Sequence, residues 1–260
     1  MAERDSFPPG TPSWVDLTTP DLDGALRFYG ALFGWEFEDA GEEAGHYHMA
    51  LVGGRRVAGL GPAQEGAPPV AYWTTYLSSA DIDASATAIG DAGGSLLFGP
   101  LDVMGQGRML IAQDPEGATF GIWEPQAHTG AQLVNENATL TWNERMTRDL
   151  EGVKRFYGAV FGHSFAQLPD TPAHMYQLIQ VSDRAVAGTF AMPDDVPAEA
   201  PPHWLTYFAL DDVDAGFERV RENGGQVLRE PFDSPYGRYA PVQDPQGAAF
   251  CLIQPANPSD

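Results

Sequence analysis

The sequence contains one unit twice. Residues 24–34, GALRFYGALFG, return as residues 152–162, GVKRFYGAVFG, with eight of eleven positions identical. The agreement continues along both halves at a shift of 128 to 131 residues, pairing Trp14 with Trp142, Trp73 and Tyr76 with Trp204 and Tyr207, Gly107-Arg108 with Gly237-Arg238, and residues 114–117 (DPEG) with 244–247 (DPQG). We therefore expect two domains, residues 1–130 and 131–260, and we look for function at equivalent positions in both.

The composition limits the possible partners. The chain has 14 Lys and Arg against 36 Asp and Glu, a formal net charge of −22. Such a surface repels phosphate backbones and anionic lipids, so neither nucleic acid nor a membrane is expected as a partner. No run approaches the roughly 18 apolar residues of a membrane helix. We expect a cytoplasmic monomer or homodimer whose single cysteine, Cys251, is packed in the core.

The apolar pattern predicts two repeated modules in each half. A short alternating strand comes first, and a helix follows that begins near Asp21 or Asp149 and stops at Gly34 or Gly162. Three strand-like runs complete the module. The same order returns after Val70 and after Pro202, so each half reads β-α-β-β-β twice. The segment from 125 to 137 is polar and small, as expected of a linker.

These residues resemble the vicinal oxygen chelate superfamily, which includes glyoxalase I, bleomycin and fosfomycin resistance proteins and extradiol dioxygenases. The matching features are an Asp before a helix that contains Phe-Tyr, the Phe-Gly end of that helix, and Asp-Pro-x-Gly before the last strand. The chain is most similar to tandem, two-domain glyoxalase-like proteins of actinobacteria, some labelled hydroxylases. The resemblance implies an α+β fold of two tandem domains. Each would hold two βαβββ modules that form a cup-shaped, curved mixed sheet with helices outside.

Metal-dependent members of that superfamily hold an ion with His or Glu near the start of the first strands and in the last strands. Carried over by spacing, these positions fall on Trp14 and Trp142, on Thr74 and Leu205, and on Gly121 and Cys251. One thiol does not make a site for a hard or borderline cation. We therefore expect no metal and no cofactor.

Aromatic residues stand where the resemblance places the cup wall. They suit a pocket for a planar, partly polar molecule. Arg108 and Arg238 are candidates to clamp a carboxylate or phenolate, with surface ion pairs as the alternative. The expected ligand-binding residues are Trp14, Trp73, Tyr76, Arg108, Trp142, Tyr176, Trp204, Tyr207 and Arg238.

Polar residues beside that wall are the candidates for acid-base chemistry. Asp16 and Glu144 are equivalent, and each lies two residues after a lost ligand position, on the same side of its strand. His48 is a third candidate, which we pair with Tyr176 in the second copy. An alternative metal site would combine Asp16, His48 and Glu124. The simpler interpretation gives Asp16 and Glu144 structural hydrogen bonds, and His46 and His174 positions in solvated loops.

Three functions remain open at this point. The leading hypothesis is a metal-free protein that binds a small, aromatic or polyketide-like organic molecule, in the manner of sequestering resistance proteins. The alternative is an enzyme that uses the same cup, namely a lyase, isomerase, cyclase or hydroxylase/dioxygenase-like protein with Asp16, Glu144 or His48 as acid-base groups. The third is an assembly module whose acidic surface binds a basic protein.

Overall fold

Each half of the chain folds into one sheet in the computed structural model, which describes residues 3–64, 66, 69–192, 196 and 199–256. Residues 65, 67 and 68, in the segment before Val70, and residues 193–195, 197 and 198, in the segment before Pro202, lie outside the described residues. The first half contains β1 (Pro12–Thr19), α1 (Leu22–Phe33), β2 (Glu36–Asp39), β3 (His48–Val52), β4 (Arg55–Pro62), β5 (Tyr72–Ser78), α2 (Ile82–Asp91), β6 (Ser95–Asp102), β7 (Gly107–Gln113) and β8 (Thr119–Pro125).

The second half repeats this order. It contains β9 (Leu140–Thr147), α3 (Leu150–Phe161), β10 (Ser164–Gln167), β11 (Tyr176–Val181), β12 (Arg184–Ala191), β13 (His203–Ala209), α4 (Val213–Glu222), β14 (Gln226–Val227), β15 (Phe232–Ser234), β16 (Gly237–Gln243) and β17 (Ala249–Pro255). None of the helices among the described residues is long and apolar enough to cross a membrane.

The strand order shows two modules joined in each sheet. The first sheet runs β2-β3-β4-β1-β5-β8-β7-β6 and the second β10-β11-β12-β9-β13-β17-β16-β14, with β15 on β16. The first strand of each module pairs in parallel with its last strand, and the two first strands of a sheet pair antiparallel. The predicted α+β fold of two tandem, cup-shaped mixed sheets built from βαβββ modules is confirmed.

The predicted helix signals act as expected. Asp21 and Asp149 are N-caps, and their carboxylates accept from the backbone N–H of Gly24 at 2.9 Å and of Gly152 at 2.8 Å. Helices α1 and α3 end at Gly34 and Gly162, which adopt the left-handed conformation at φ 71° and 69°. Glycine favours that conformation because it has no Cβ to clash. Asp81 and Asp212 cap α2 and α4 in the same way.

Strand alternation divides each sheet into two faces. We call the face turned away from the helices the first cup in the first sheet and the second cup in the second sheet. On β1, Trp14 and Asp16 point into the first cup, whereas Val15 and Leu17 join the helix-side core. On β9, Trp142 and Glu144 point into the second cup.

The helices of the two halves pack crosswise, α1 against α4 and α2 against α3. One continuous core therefore contains residues of both halves, such as Phe28 and Phe33 of α1 with Phe217 of α4 and Phe250 of β17. The two units are interlocked on their helix sides, while the two cups face away from this core.

The expected placement of Trp73 and Trp204 in the cup wall is wrong. Trp73 lies on the helix side, where its indole N–H donates to the Tyr29 hydroxyl at 3.0 Å. Trp204 does the same with Tyr157 at 2.9 Å. Because a tryptophan three residues before Tyr76 or Tyr207 on a strand must point to the opposite face, these indoles support the core.

Candidate functional site

A carboxylate with two tyrosines and one tryptophan lies in the first cup. The indole N–H of Trp14 donates to the Tyr47 hydroxyl at 3.0 Å, and that hydroxyl donates to Asp16 Oδ2 at 3.3 Å. Tyr76 donates to the same carboxylate oxygen at 3.1 Å. These side chains come from β1, from β5 and from the residue just before β3, so the module junction holds the carboxylate in place.

The second cup repeats this arrangement. The indole N–H of Trp142 donates to the Tyr176 hydroxyl at 3.1 Å, and the Tyr207 hydroxyl donates to the Glu144 carboxylate. The predicted residues Trp14, Asp16 and Tyr76 are thus brought together in one cup, and Trp142, Glu144, Tyr176 and Tyr207 in the other.

A glycine on the neighbouring strand makes room for one tyrosine in each cup. A Cβ built on Gly59 of β4 would overlap the Tyr47 hydroxyl, and one on Gly188 of β12 would overlap the Tyr176 hydroxyl. Both glycines occupy the same place in the repeat. The tyrosine rings therefore lie flat over strands that have no side chain at this point, which lets their hydroxyls reach the tryptophan and the carboxylate.

The surroundings raise the pKa of both carboxyl groups. Burial raises the pKa of Asp16 to about 7, against the opposing effect of its hydrogen bonds from Tyr76, Tyr47 and Thr74. Burial likewise raises the pKa of Glu144, with the hydroxyls of Tyr207 and Tyr176 acting in the opposite direction. With a pKa of about 7, the Asp16 carboxyl group can give or take a proton at physiological pH.

The two cups differ in what covers the tryptophan. Trp14 is only 3% exposed, because the His128 ring meets it edge to face at 4.4 Å. Two hydrogen bonds fix this part of the linker. The Trp123 indole N–H donates to the His128 carbonyl at 2.7 Å, and the Ala131 backbone N–H donates to the Ser13 carbonyl at 2.8 Å. Trp142 is partly exposed at the wall of the second cup.

The walls of the two cups also differ. The partly buried apolar residues around Trp14 and Tyr76 include Met49, Met109 and Ile111. In the second cup a row of rings leads away from Tyr207, with Tyr239 at 6.1 Å from Tyr207 and Phe232 stacked at 5.6 Å on Tyr239. Both cups are thus lined by aromatic rings, and the second is the one whose tryptophan is accessible.

His203 is a candidate site residue that the sequence analysis did not include. On β13, His203 lies opposite Met146 of β9, and two residues further along Leu205 lies opposite Glu144. Because alternate residues of a strand share a face, His203 lies on the inner face of the second cup, as Glu144 does. Its Nδ1 lies 2.9 Å from the Pro201 carbonyl, and burial lowers its pKa. The first copy has Tyr72 at this place.

The expected role of His48 is wrong, because Tyr47 is the partner of Tyr176 in the repeat. His48 points away from the first cup, and its Nδ1 contacts the His46 carbonyl at 2.7 Å. His46 forms an exposed pair with Asp39 at 3.0 Å, and His174 is exposed. The sequence could have identified Tyr47, because 129 residues separate it from Tyr176, and the other repeated pairs are separated by 128 to 131 residues.

The expected clamp residues do not reach the cups. Arg108 binds both carboxylate oxygens of Asp83 at 2.8 and 3.0 Å, at the start of α2. Arg238 binds Asp214 at the start of α4 and Asp233 on β15. Both arginines lie on the helix side of their strands. They form surface ion pairs, which was the alternative to a role in clamping a ligand.

The alternative metal site does not form either. Asp16 lies in the first cup and His48 points away from it, while the Glu124 carboxylate accepts from the backbone N–H of Ile82 at 2.7 Å on the helix side. Across the described residues, no three His, Cys, Asp or Glu side chains are grouped so as to hold an ion.

A surface groove of about 430 Å³ lies elsewhere, between α3 and the turn that precedes β8, and is lined by Asp114, Pro115, Glu116 and Arg155 among others. It contains none of the predicted site residues. The repeated constellation in the cups, with its raised carboxyl pKa, is therefore the candidate site.

Comparison with known proteins places this arrangement in context. The family model described as "Glyoxalase/Bleomycin resistance protein/Dioxygenase superfamily" matches twice, over residues 11–122 and 139–252. The protein named "Putative glyoxylase CFP32" of Mycobacterium bovis is 39% identical over 98% of this chain and 99% of its own length. The "Anthracycline biosynthesis protein DnrV" of Streptomyces peucetius is 35% identical over 95% of this chain and 94% of its own.

Solved structures share the fold. The 2,3-dioxygenase LapB of Pseudomonas sp. KL28 superimposes with a TM-score of 0.64 at 14% identity, over 95% of this chain and 93% of the other. The Mn(II)-bound glyoxalase of Novosphingobium aromaticivorans gives 0.63 at 17% identity, over 95% and 82%. At these identities the likeness concerns the fold alone.

The donors in the cups do not fit the metal that such enzymes hold. The places carried over from the ligand pattern are occupied by Trp14 and Gly121 in the first cup and by Trp142 and Cys251 in the second, and Cys251 is buried with a raised thiol pKa. Each cup offers one carboxylate whose oxygens already accept from tyrosines. Imidazole and several carboxylates are the usual partners of such ions.

Proposed function

Because this chain belongs to the glyoxalase/bleomycin resistance protein/dioxygenase superfamily, whose members bind small-molecule substrates, we propose that it binds a small, planar organic molecule in its second cup. The ligand stacks on the partly exposed Trp142 and hydrogen-bonds to the carboxyl group of Glu144. Tyr176 and Tyr207 hold that carboxyl group and the indole in position.

The observation that carries the proposal is the contrast between the two cups. The same four-residue constellation is present twice, yet only in the second cup is the tryptophan accessible. A flat indole beside further rings provides a surface for a planar molecule, and the carboxyl group fixes its orientation. The relative described as an anthracycline biosynthesis protein supports a polycyclic aromatic ligand of the polyketide type.

The test uses 1,8-dihydroxyanthraquinone, a neutral tricyclic probe, titrated into the purified chain and followed by tryptophan fluorescence and calorimetry. We expect one site per chain. Trp142→Phe should weaken binding by about tenfold, because a phenyl ring offers less stacking area and no N–H for Tyr176. Trp14→Phe, the matched change in the covered cup, should leave the affinity unchanged. Equal effects of the two changes, or no binding at all, would contradict the proposal.

A second function, proton transfer on the bound molecule, is favoured by one observation. His203 shares the inner face with Glu144, and its Nδ1 lies at the Pro201 carbonyl, which leaves Nε2 as the acceptor. A neutral imidazole can act as a base on the same face on which Glu144 orients the ligand. The probe for this function is 1,8-dihydroxyanthrone, whose C10 methylene hydrogens are acidic: exchange of these hydrogens for solvent deuterium in the bound molecule, lost in His203→Gln while binding persists, would support it. Exchange that is as fast in the variant as in the wild-type chain would exclude His203.

A further inference from the structure

We propose that the second cup selects planar ligands that carry a positive charge, held as an ion pair with the Glu144 carboxylate and against the surrounding rings. This inference rests on the proposed function, because it names the class of ligand for the same site. It follows from what surrounds Glu144, from the rings beside it and from the charge of the whole chain.

Within the part of the chain that the structure describes, no ion pair joins the Glu144 carboxylate to a Lys or Arg, and its partners are tyrosine hydroxyls. The strands of the second sheet place no Lys or Arg on the inner face among the residues that the structure describes. The adjacent Arg145 points to the opposite face, where it is fully buried and binds Asp114 and Glu116 at 2.7 and 2.9 Å. An enclosed carboxylate without a counter-charge is costly, and a bound cation would remove that cost.

The other titratable groups that face Glu144 are neutral near pH 7. They are the hydroxyls of Tyr176, Tyr207 and Tyr239, the Cys251 thiol and the His203 imidazole. Burial raises the pKa of the first four and lowers that of the imidazole. The tyrosines donate hydrogen bonds but supply no positive charge, so a ligand cation would be the partner of the carboxylate.

The rings beside Glu144 favour the same class of ligand. The faces of aromatic rings attract cations, and the attraction grows when the site excludes water. Trp142, Tyr207, Tyr239 and Phe232 form the wall on one side of the carboxylate. The outer end of this row already shows the effect, since the exposed Arg229 guanidinium lies 4.1 Å from the centre of the Phe232 ring.

The whole chain adds a long-range contribution of the same sign. A formal net charge of −22 attracts cations and repels anions at a distance, and the effect falls with added salt. This contribution is common to every site on the surface, so the proposal needs a test that isolates Glu144 from it.

The test uses three tricyclic probes of one shape at pH 7.5 and 0.15 M salt: 9-aminoacridine as the cation, acridine as the neutral molecule and acridine-9-carboxylate as the anion. We expect the wild-type chain to bind the cation at least tenfold more tightly than the neutral probe, and the anion least. Glu144→Gln should remove most of this preference, because it should weaken the binding of 9-aminoacridine far more than the binding of acridine. Glu218→Gln, on α4, changes the net charge equally and should keep the preference.

The outcomes separate this inference from the proposed function. If acridine and 9-aminoacridine bind equally, and Glu144→Gln changes neither affinity, the charge selectivity is wrong while a planar site remains. If Glu218→Gln lowers the preference as much as Glu144→Gln, the effect comes from the net charge and the ion pair is wrong. If none of the probes binds, the proposed function itself fails. Matching circular dichroism spectra of the two variants confirm that both are folded.

Discussion

The Tyr157 hydroxyl, on a helix of the second half, donates a hydrogen bond of 3.1 Å to the Asp114 carboxylate, in the turn before the last strand of the first half. The reverse bond joins Tyr29 to Asp244 at 3.0 Å. Each half therefore anchors its Phe-Tyr helix on the Asp-Pro-x-Gly turn of the other. Asp114 also binds the buried Arg145. Asp244 has no such partner in the described part of the chain, because Leu17 takes the place in the first half that Arg145 takes in the second.

This asymmetry gives the first prediction. Asp114→Asn leaves the Arg145 guanidinium without a full counter-charge, and the free energy of unfolding should fall by about 3–5 kcal/mol. Asp244→Asn removes the charge of a carboxylate that only accepts hydrogen bonds, and it should lower the free energy of unfolding by about 1–2 kcal/mol. Urea denaturation of both variants at pH 7.5 measures the difference. Equal losses would show that Arg145 does not depend on Asp114.

The second prediction concerns the glycine below Tyr176. Gly188→Ala introduces a Cβ where the Tyr176 hydroxyl lies, so the ring must move away from Trp142 and Glu144. We expect a loss of about 1–3 kcal/mol in the free energy of unfolding, as for other overpacked sites, together with weaker binding of the tricyclic probes.

Gly90→Ala is the control for that change, since nothing lies within 4 Å of its new Cβ in α2. It should be neutral or stabilise the chain by up to about 1 kcal/mol. If Gly188→Ala were equally harmless in denaturation and in probe binding, the close approach of Tyr176 to β12 would be disproved.

The third prediction follows from the pKa of Asp16, which is about 7 in the folded chain and roughly 3.9 in an unfolded one. Between these values the folded state keeps a proton that the unfolded state has released. The contribution of Asp16 to stability is therefore lost as the pH rises from about 4 to about 7.

Asp16→Asn removes this titration and leaves that of Glu144 in place. The variant should gain stability relative to the wild-type chain on going from pH 5 to pH 8, as measured by urea denaturation at both values. A stability difference that does not change with pH would show that the Asp16 carboxyl keeps an ordinary pKa.

The fourth prediction tests the corrected position of the arginines. Because Arg238 is bound to Asp214 and Asp233 on the helix side, Arg238→Ala should leave the affinity for 1,8-dihydroxyanthraquinone and for 9-aminoacridine within about twofold, the scatter expected of a distant site. The melting temperature should change little, since the ion pairs are exposed. A tenfold weaker affinity for either probe would place Arg238 in the binding site after all.

The duplication and the strand and helix signals were enough to predict the fold. The capping aspartates, the helix-ending glycines and the alternating strands are local features, and each appeared twice, so chance matches were excluded. Trp14, Asp16 and Tyr76, with their repeats, were also accessible to prediction, because two-residue spacing places side chains on one face.

The errors have physical causes. Pairing His48 with Tyr176 was a slip of one residue, and on a strand such a slip moves a side chain to the opposite face. Trp73 could have been assigned to the helix side from its spacing to Tyr76, yet its bond to Tyr29 depends on the packing of the two halves. The contact of His128 with Trp14 also depends on tertiary structure, because the linker sequence does not indicate which part of the sheet the linker packs against.

The most direct measurement is a crystal structure of the chain with bound 9-aminoacridine. We predict one probe per chain, stacked on Trp142 with its cationic group toward Glu144, and His128 still in place against Trp14. A probe bound against Trp14, a probe only in the groove at Asp114 and Glu116, or a second cup left empty at saturating concentration would contradict the account.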